Sequence, residues 1–430
     1  MKKLIPFLLV FVLLQSRAQN ILLNFSGSGA ATAIDSVRIQ NLKQCASVKI
    51  LGNDTLKLSN PTLLKSLIEN NYKKLYVFPN PTEQNSVFEF DSPESGLVFI
   101  DIFNAAGKRI HRSEFDVLKG TNKFQVDNLP FGLNLVVLYS DNFALSEKIA
   151  SHYQGNEKAA IQFKEGEHHS TKGMRMAQTM ASILMPYNPG ERLLIKAYAG
   201  NFTSVKTIVP TADSELEIPF IACSDLENNH YATVQIGTQV WMAENLKVSK
   251  YRNGDTILTN LGDALWSTST SGAYAIYNND PANNSTRVKL YNWYALTDSR
   301  GLCPAGWHAP SDDEWKTLES FLGMPASELD QGGERGLSQN VGGKLKSVCS
   351  SWASPNTGAS NESGFSAIAG GLRANSGLFN FGNQGFWWSS SENSNFTDFV
   401  WSRFLNYSFG TSTRNFYEKR TGLSVRCIRD

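Results

Sequence analysis

Short runs in which apolar and polar residues alternate, each closed by Gly, Ser or Asn, recur from residue 20 onward, as in ILLNFSG, SVRIQN, NSVFEF and LLIKAYA. A side-chain period of two sends successive residues to opposite faces of a strand, so such runs fold as half-buried β-sheet rather than helix. All-β, sandwich-like modules are therefore expected over the N-terminal half. With 430 residues the chain is long enough to divide into several domains, each with its own core. Lys and Arg total 40 against 39 Asp and Glu, a net charge of +1 that supplies no field to gather nucleic acid, so no nucleic-acid partner is expected. Aromatics at 11% beside only 18% charged residues fit a β-rich extracellular protein with a polar, weakly charged surface.

The opening MKKLIPFLLVFVLLQSRAQ has a basic start (Lys2, Lys3), an apolar run from Leu4 to Leu14 and a small-x-small site at Ser16-Arg17-Ala18. Residues 1–18 read as a signal peptide, with export to the cell surface or medium as the expected destination. The run is about half the roughly 20 residues a spanning helix needs, and no later run is longer, so no integral membrane segment is expected after cleavage. An exported chain permits disulfides among Cys45, Cys223, Cys303, Cys349 and Cys427, but an odd number leaves at least one thiol unpaired in a monomer. Their wide spacing, without CxxC or a nearby His pair, argues against structural zinc.

Residues 19–75 form an N-terminal β region ending in the amphipathic PTLLKSLIEN, residues 76–150 a compact β-sandwich, and residues 151–222 a β-rich linker module. Within the second, YVFPNP, the turn in IFNAAGKRI, LPFGLNLVVL and a closing EKIA follow one another in the order that resembles the type IX secretion C-terminal sorting domain of Bacteroidetes. Because the chain continues well past it, the expected role is that of a retained β-sandwich. In the linker module, His168 and His169 are adjacent and would point to opposite sides of a strand, so they are not taken as a metal pair.

Residues 223–430 change character, with YATVQIGTQVWMAENL, YNWYAL, GLCPAGWHAPSDDEWKTLESFLG, SGFSAIAGGLR, GFWWSSSE and GLSVRCIRD in sequence. These landmarks resemble the Fibrobacter succinogenes major paralogous domain. The resemblance implies an α+β, C-type lectin-like fold, related more distantly to the formylglycine-generating enzyme, with long lightly structured loops. It also implies that the helix near Cys303 lies close to the last strand, and hence a Cys303–Cys427 disulfide. Cys223 and Cys349 are then available for a second bridge, leaving Cys45 as a buried thiol. In SDDEWKTLESFLG, Ser311 and Glu314 have capping-box spacing, Trp315, Leu318 and Leu322 share a face, and Gly323 closes the helix.

Candidate chemistry is sparse. The formylglycine-generating activity needs cysteines acting together near the domain end, where only Cys427 stands. His230 and His308 have no nucleophile motif beside them. Asp312, Asp313 and Glu314 suit helix capping better than the paired carboxylates of glycoside hydrolysis. The EPN, QPD and WND triplets of calcium-dependent lectins are missing, and Asp280, Asn283 and Asn284 make only a weak calcium loop. Asp-Ser/Thr-aliphatic triplets at Asp35, Asp54 and Asp255 are candidate O-glycosylation sites. No catalytic residue, metal or cofactor is assigned.

The remaining expectation is a non-catalytic binding or adhesion protein for a glycan or a surface protein, with an extracellular enzyme acting on polysaccharide or protein as the alternative. Aromatic faces give contact area at low entropy cost and amides give hydrogen bonds. Trp241, Trp293, Trp307, Trp315, Trp387 and Trp388 are expected in the core. Asn393, Asn395, Phe396, Tyr407 and Phe409 are the expected ligand contacts. The strand DFVWSR would set Phe399 and Trp401 on one face against Asp398, Val400 and Ser402 on the other.

Overall fold

A computed structural model describes residues 20–59, 75–92, 95–105, 109–140, 144–155, 157, 159–165, 182–277, 288–349, 352–374, 377 and 381–430. The signal peptide, the PTLLKSLIEN segment, the His168-His169 pair and the Asp280, Asn283, Asn284 loop lie outside the described residues. Two compact units emerge, one from residues 59–179 and one from residues 21–58 together with 180–430.

The second unit begins with β1 (Ile21–Gly29), β2 (Ser36–Asn41), β3 (Ser47–Leu51) and β4 (Thr55–Ser59), and resumes with β13 (Ser182–Pro186), β14 (Leu193–Ala199), β15 (Phe202–Ile208) and β16 (Ser214–Phe220). These form one sandwich: β1 pairs in parallel with β16 from Leu23↔Ser214 to Gly29↔Phe220, and β2 pairs antiparallel with β14. Leu23, Val37, Ile39 and Leu56 from the first stretch share a buried cluster with Met185, Ile195, Ile218 and Phe220 from the second. The division into a 19–75 region and a 151–222 linker is thereby corrected. Alternation shows that each segment is a strand but not which strand it pairs with, and here the partners lie on either side of the 76–150 domain.

That intervening domain, the first unit, contains β5 (Tyr76–Phe78), β6 (Asn85–Ser92), β7 (Gly96–Asn104), β8 (Arg109–Val117), β9 (Gly120–Asp127), β10 (Gly132–Tyr139), β11 (Ala144–Ser151) and β12 (Ala160–Glu165). They make two four-stranded sheets, ordered β11-β10-β7-β8 and β12-β9-β6-β5. Every second residue points inward, so Phe88, Phe90, Ile100, Ile102, Phe124 and Val136 fill a core, with the Phe88 and Phe124 rings stacked at 5.4 Å. It is inserted between β4 and β13, which are neighbours in their own sheet.

The C-terminal module carries β17 (Ala232–Ile236), β18 (Gln239–Met242), α1 (Asp263–Thr268), β19 (Tyr274–Ala275), β20 (Leu290–Tyr291), α2 (Trp293–Leu296), β21 (Trp307–His308), α3 (Asp312–Phe321), β22 (Gly333–Arg335), α4 (Val341–Leu345), β23 (Gln384–Asn393), β24 (Phe396–Asn406), β25 (Ser412–Glu418) and β26 (Ile428–Arg429). It does not stand apart from the sandwich. Parallel pairing of β15 with β17, Thr203↔Ala232 to Val205↔Val234, joins both into one eight-stranded sheet ordered β21-β26-β18-β17-β15-β14-β2-β3. Among the described residues no helix is long and apolar enough to cross a membrane.

The helix read from SDDEWKTLESFLG is α3: Ser311 accepts from the Glu314 amide, the Glu314 carboxylate accepts from the Ser311 amide, and Gly323 ends the turn at φ +98°. The tryptophans expected in the core are all buried. Cys303 and Cys427 are disulfide-bonded. The second bridge is Cys45–Cys349, not Cys223–Cys349, and Cys223 is the buried free thiol. Sheet continuity accounts for this, since it holds the turn after β2 beside the module, whereas Cys223 is enclosed with Met242, Trp307 and Trp388.

Candidate functional site

Strands β23, β24 and β25 form an antiparallel sheet whose two faces have different fates. Val400 and Ser402 point into the core beside Phe386 and Trp388 and are fully buried. Their neighbours Phe399 and Trp401 take the opposite face. At one end of this face Arg403 is covered by α3; toward the other end Phe399, Trp401 and Phe416 stay only partly covered, and Phe396 is 54% exposed. Trp401 pairs across the sheet with Phe416, ring centroids 5.7 Å apart, Phe416 lies 5.5 Å from Phe399 and 5.8 Å from Phe396, and Phe396 lies 6.2 Å from Phe399.

A buried ion network holds this aromatic face in place. The Arg414 guanidinium lies 3.4 Å from the Trp401 ring centroid while donating to both carboxylate oxygens of Asp312. Asp312 also accepts from Arg403, and Glu319, one helical turn pair further along α3, accepts from Arg403, Arg335 and Ser412. Burial works against the ionised Asp312, but the hydrogen bonds and charge of Arg414 and Arg403 outweigh it and hold its pKa far below the usual carboxylate range. Asp312 is thus a structural anion rather than a sugar-facing carboxylate, Glu314 closes the capping box, and Asp313 meets Lys316 at 3.1 Å.

The five expected ligand contacts do not form one site. Asn393 is buried at 3% exposure, its side-chain oxygen accepting from the Asn395 amide to shape the β23–β24 turn, so its side chain is a turn element instead of an exposed contact. Asn395 and Phe396 stand exposed at that turn, beside the aromatic cluster. Tyr407 and Phe409 follow the far end of the eleven-residue β24, roughly 33 Å away at the rise of an extended strand. There the Phe409 carbonyl, with those of Thr357 and Asn406, accepts from the buried ammonium of Lys346, whose pKa burial lowers to about 8. Alternation sets Trp401 on one strand face with Phe399 but assigns it no ligand contact, and Phe416 and Arg414 are the members that sequence reasoning missed. Alternation in DFVWSR and STRNFYE contains the signal, but the cross-strand register that brings them together does not show in either string.

His308 bridges two carboxylates, with Nδ1 2.7 Å from Asp430 and Nε2 2.8 Å from Glu314. Burial lowers its pKa, yet the hydrogen bonds and charge of the two carboxylates prevail and raise it, favouring an imidazolium that ties the last residue to α3. His230 meets Ser224 at 2.7 Å. Of the glycosylation triplets, Ser36 is buried in β2, the Thr55 hydroxyl donates to Asn24, and Thr256 is exposed. Among the described residues no His, Cys, Asp and Glu group is arranged to hold a metal.

Comparison with known families places these features. Residues 234–429 match the Fibrobacter succinogenes major domain. Residues 76–151 match the secretion system C-terminal sorting domain, which here is the internal, inserted sandwich. No curated protein matches the chain. The two domains together mark a secreted or surface protein.

Proposed function

We propose that the chain is an exported, non-catalytic binding or adhesion protein whose C-terminal module, of C-type lectin-like class, recognises a glycan on the face formed by Phe396, Phe399, Trp401 and Phe416. The observation that carries this reading is the pinned, incompletely covered Trp401 ring. One side is fixed by Arg414, aromatic neighbours extend it, and Asn395 at the adjoining turn is exposed. A sugar ring offers apolar C–H faces to such a platform and hydroxyls to the amides. The titratable groups around α3 support a binding rather than a catalytic role, because Asp312, Glu319, Glu314 and His308 are each committed to structural partners.

The full chain applied to a glycan array, alongside a turnover screen on polysaccharides and proteins, tests this reading. Glycan capture without turnover is the expected result. Turnover that a single carboxylate or His substitution abolishes would overturn it, and capture of a surface protein with no glycan signal would reassign the ligand.

A further inference from the structure

A second feature lies where the sandwich and the C-terminal module meet. On the outer face of the eight-stranded sheet, Lys49 of β3, Arg38 of β2 and Lys196 of β14 are direct cross-strand partners. Strands in a sheet lie about 4.8 Å apart, so three cations stand within about 10 Å of one another, and like charges directly opposite are destabilising. No carboxylate forms an ion pair with any of the three among the described residues.

Arg38 and Lys196 also line a pocket of about 370 Å³ with Gln40, Glu244, Asn245 and Arg426, a volume within the usual range for small-molecule sites. Arg426 is 1% exposed and lacks a carboxylate at ion-pair distance among the described residues. Its guanidinium donates to the Asn245 side-chain oxygen and the Phe365 carbonyl and stacks 3.9 Å from the Phe365 centroid. Asn245 is itself 8% exposed, and its side-chain Nδ2 donor has no partner among the described residues. Glu244, the one carboxylate in the lining, accepts from the Ala232 amide and faces Lys247 at 3.9 Å. The lining therefore carries three cations against one committed anion, and a desolvated cation without a counter-charge is costly. Burial accordingly pulls the Arg426 pKa down.

We infer that this seam is an anion site, and that the row Lys49, Arg38, Lys196 with the Arg426 pocket binds an acidic saccharide chain through the carboxylates of its uronate units. The polar remainder of the lining, the amides of Gln40 and Asn245, favours a hydroxylated ligand. This assignment rests on the glycan-binding reading above but uses a different surface, so the two can fail separately.

Calorimetric titration of the full chain with trigalacturonate and with its fully methyl-esterified, uncharged counterpart tests it. Substitutions at Arg426 would disturb the core, so the paired surface variant Arg38→Gln/Lys196→Gln is the informative one. Expected are tighter binding of the acid than of the ester, weakening of the acid with added salt, and at least tenfold weaker acid binding in the paired variant. The acid binding should be unchanged in Trp401→Ala, even if neutral glycans fail to bind the aromatic face. Equal affinity for acid and ester, or acid binding untouched by the paired variant, would overturn the site. Triglutamate binding as tightly as trigalacturonate would overturn its saccharide assignment.

Discussion

Cys45, in the turn after β2, is disulfide-bonded to Cys349 of the C-terminal module across 304 residues of sequence, with both residues at the surface. The bridge reinforces what the β15–β17 pairing has already made one body. It also leaves Cys223 as the only free cysteine, enclosed where burial pushes its thiol pKa well up.

Thiol titration reads this pairing directly. The native, unreduced chain should not react with a thiol reagent, and unfolding without reductant should expose one thiol, which a Cys223→Ser variant abolishes. A Cys45→Ser/Cys349→Ser variant should lose about 2–4 kcal/mol in urea unfolding. A native chain that labels at Cys45 would refute the bridge.

Because the inserted domain leaves and rejoins the sandwich at adjacent strands, residues 60–181 should be replaceable by a short loop. The shortened chain is expected to unfold cooperatively with nearly the midpoint of unit two in the parent. A fragment of residues 223–430 should be markedly less stable, since it loses the β15–β17 pairing and the Cys45–Cys349 bridge. Scanning calorimetry of the two separates these outcomes.

Asp312→Asn strips the charge from a carboxylate that serves two buried arginines. Breaking a buried pair costs about 3–5 kcal/mol, and urea unfolding at pH 7 should show a loss of that order. Since the folded-state pKa is depressed, the stability Asp312 contributes is present above its unfolded value of 3.8 and is lost only as pH falls through the much lower folded pKa. The difference between parent and variant should therefore be constant from pH 5 to 8. Arg414→Lys, which keeps a charge near Asp312 but not the flat stack on Trp401, should weaken glycan binding more than it lowers stability.

His308 has the opposite sign. Its folded pKa is raised, so its contribution is fully present below the unfolded value of 6.5 and is lost as pH rises through the folded pKa. Partial exposure and solvent screening limit the effect to under about 1 kcal/mol. Unfolding free energy should thus fall slightly between pH 6 and 8.5 in the parent, and His308→Gln should flatten that change. An imidazole titration by NMR with a midpoint below 6.5 would contradict the assignment.

The capping box of α3 was legible because it is local: Ser311 and Glu314 are three residues apart and satisfy each other's backbone groups. The two family resemblances were legible because their motifs recur in order along the chain. The single sandwich made from residues 21–58 and 182–220 was not, since β1 and β16 pair in parallel at a separation that no period-two pattern encodes. Asn393 misled for a related reason. A turn amide bonding two residues on and an exposed ligand-binding amide have the same sequence signature, and only the hairpin geometry tells them apart. Trp401 gained its importance from Arg414, whose anchor Asp312 lies on another element.

The most direct measurement is the affinity of the full chain for a glycan captured on the array, compared among Trp401→Ala, Phe396→Ala and the paired variant Tyr407→Ala/Phe409→Ala. Loss of the stacking ring should cost about 1.5 kcal/mol or more, so Trp401→Ala should raise Kd at least tenfold, Phe396→Ala several-fold, and the paired variant at the far end of β24 hardly at all. Unchanged binding in Trp401→Ala, with binding abolished in the paired variant, would contradict the account and move the site to the opposite end of the strand.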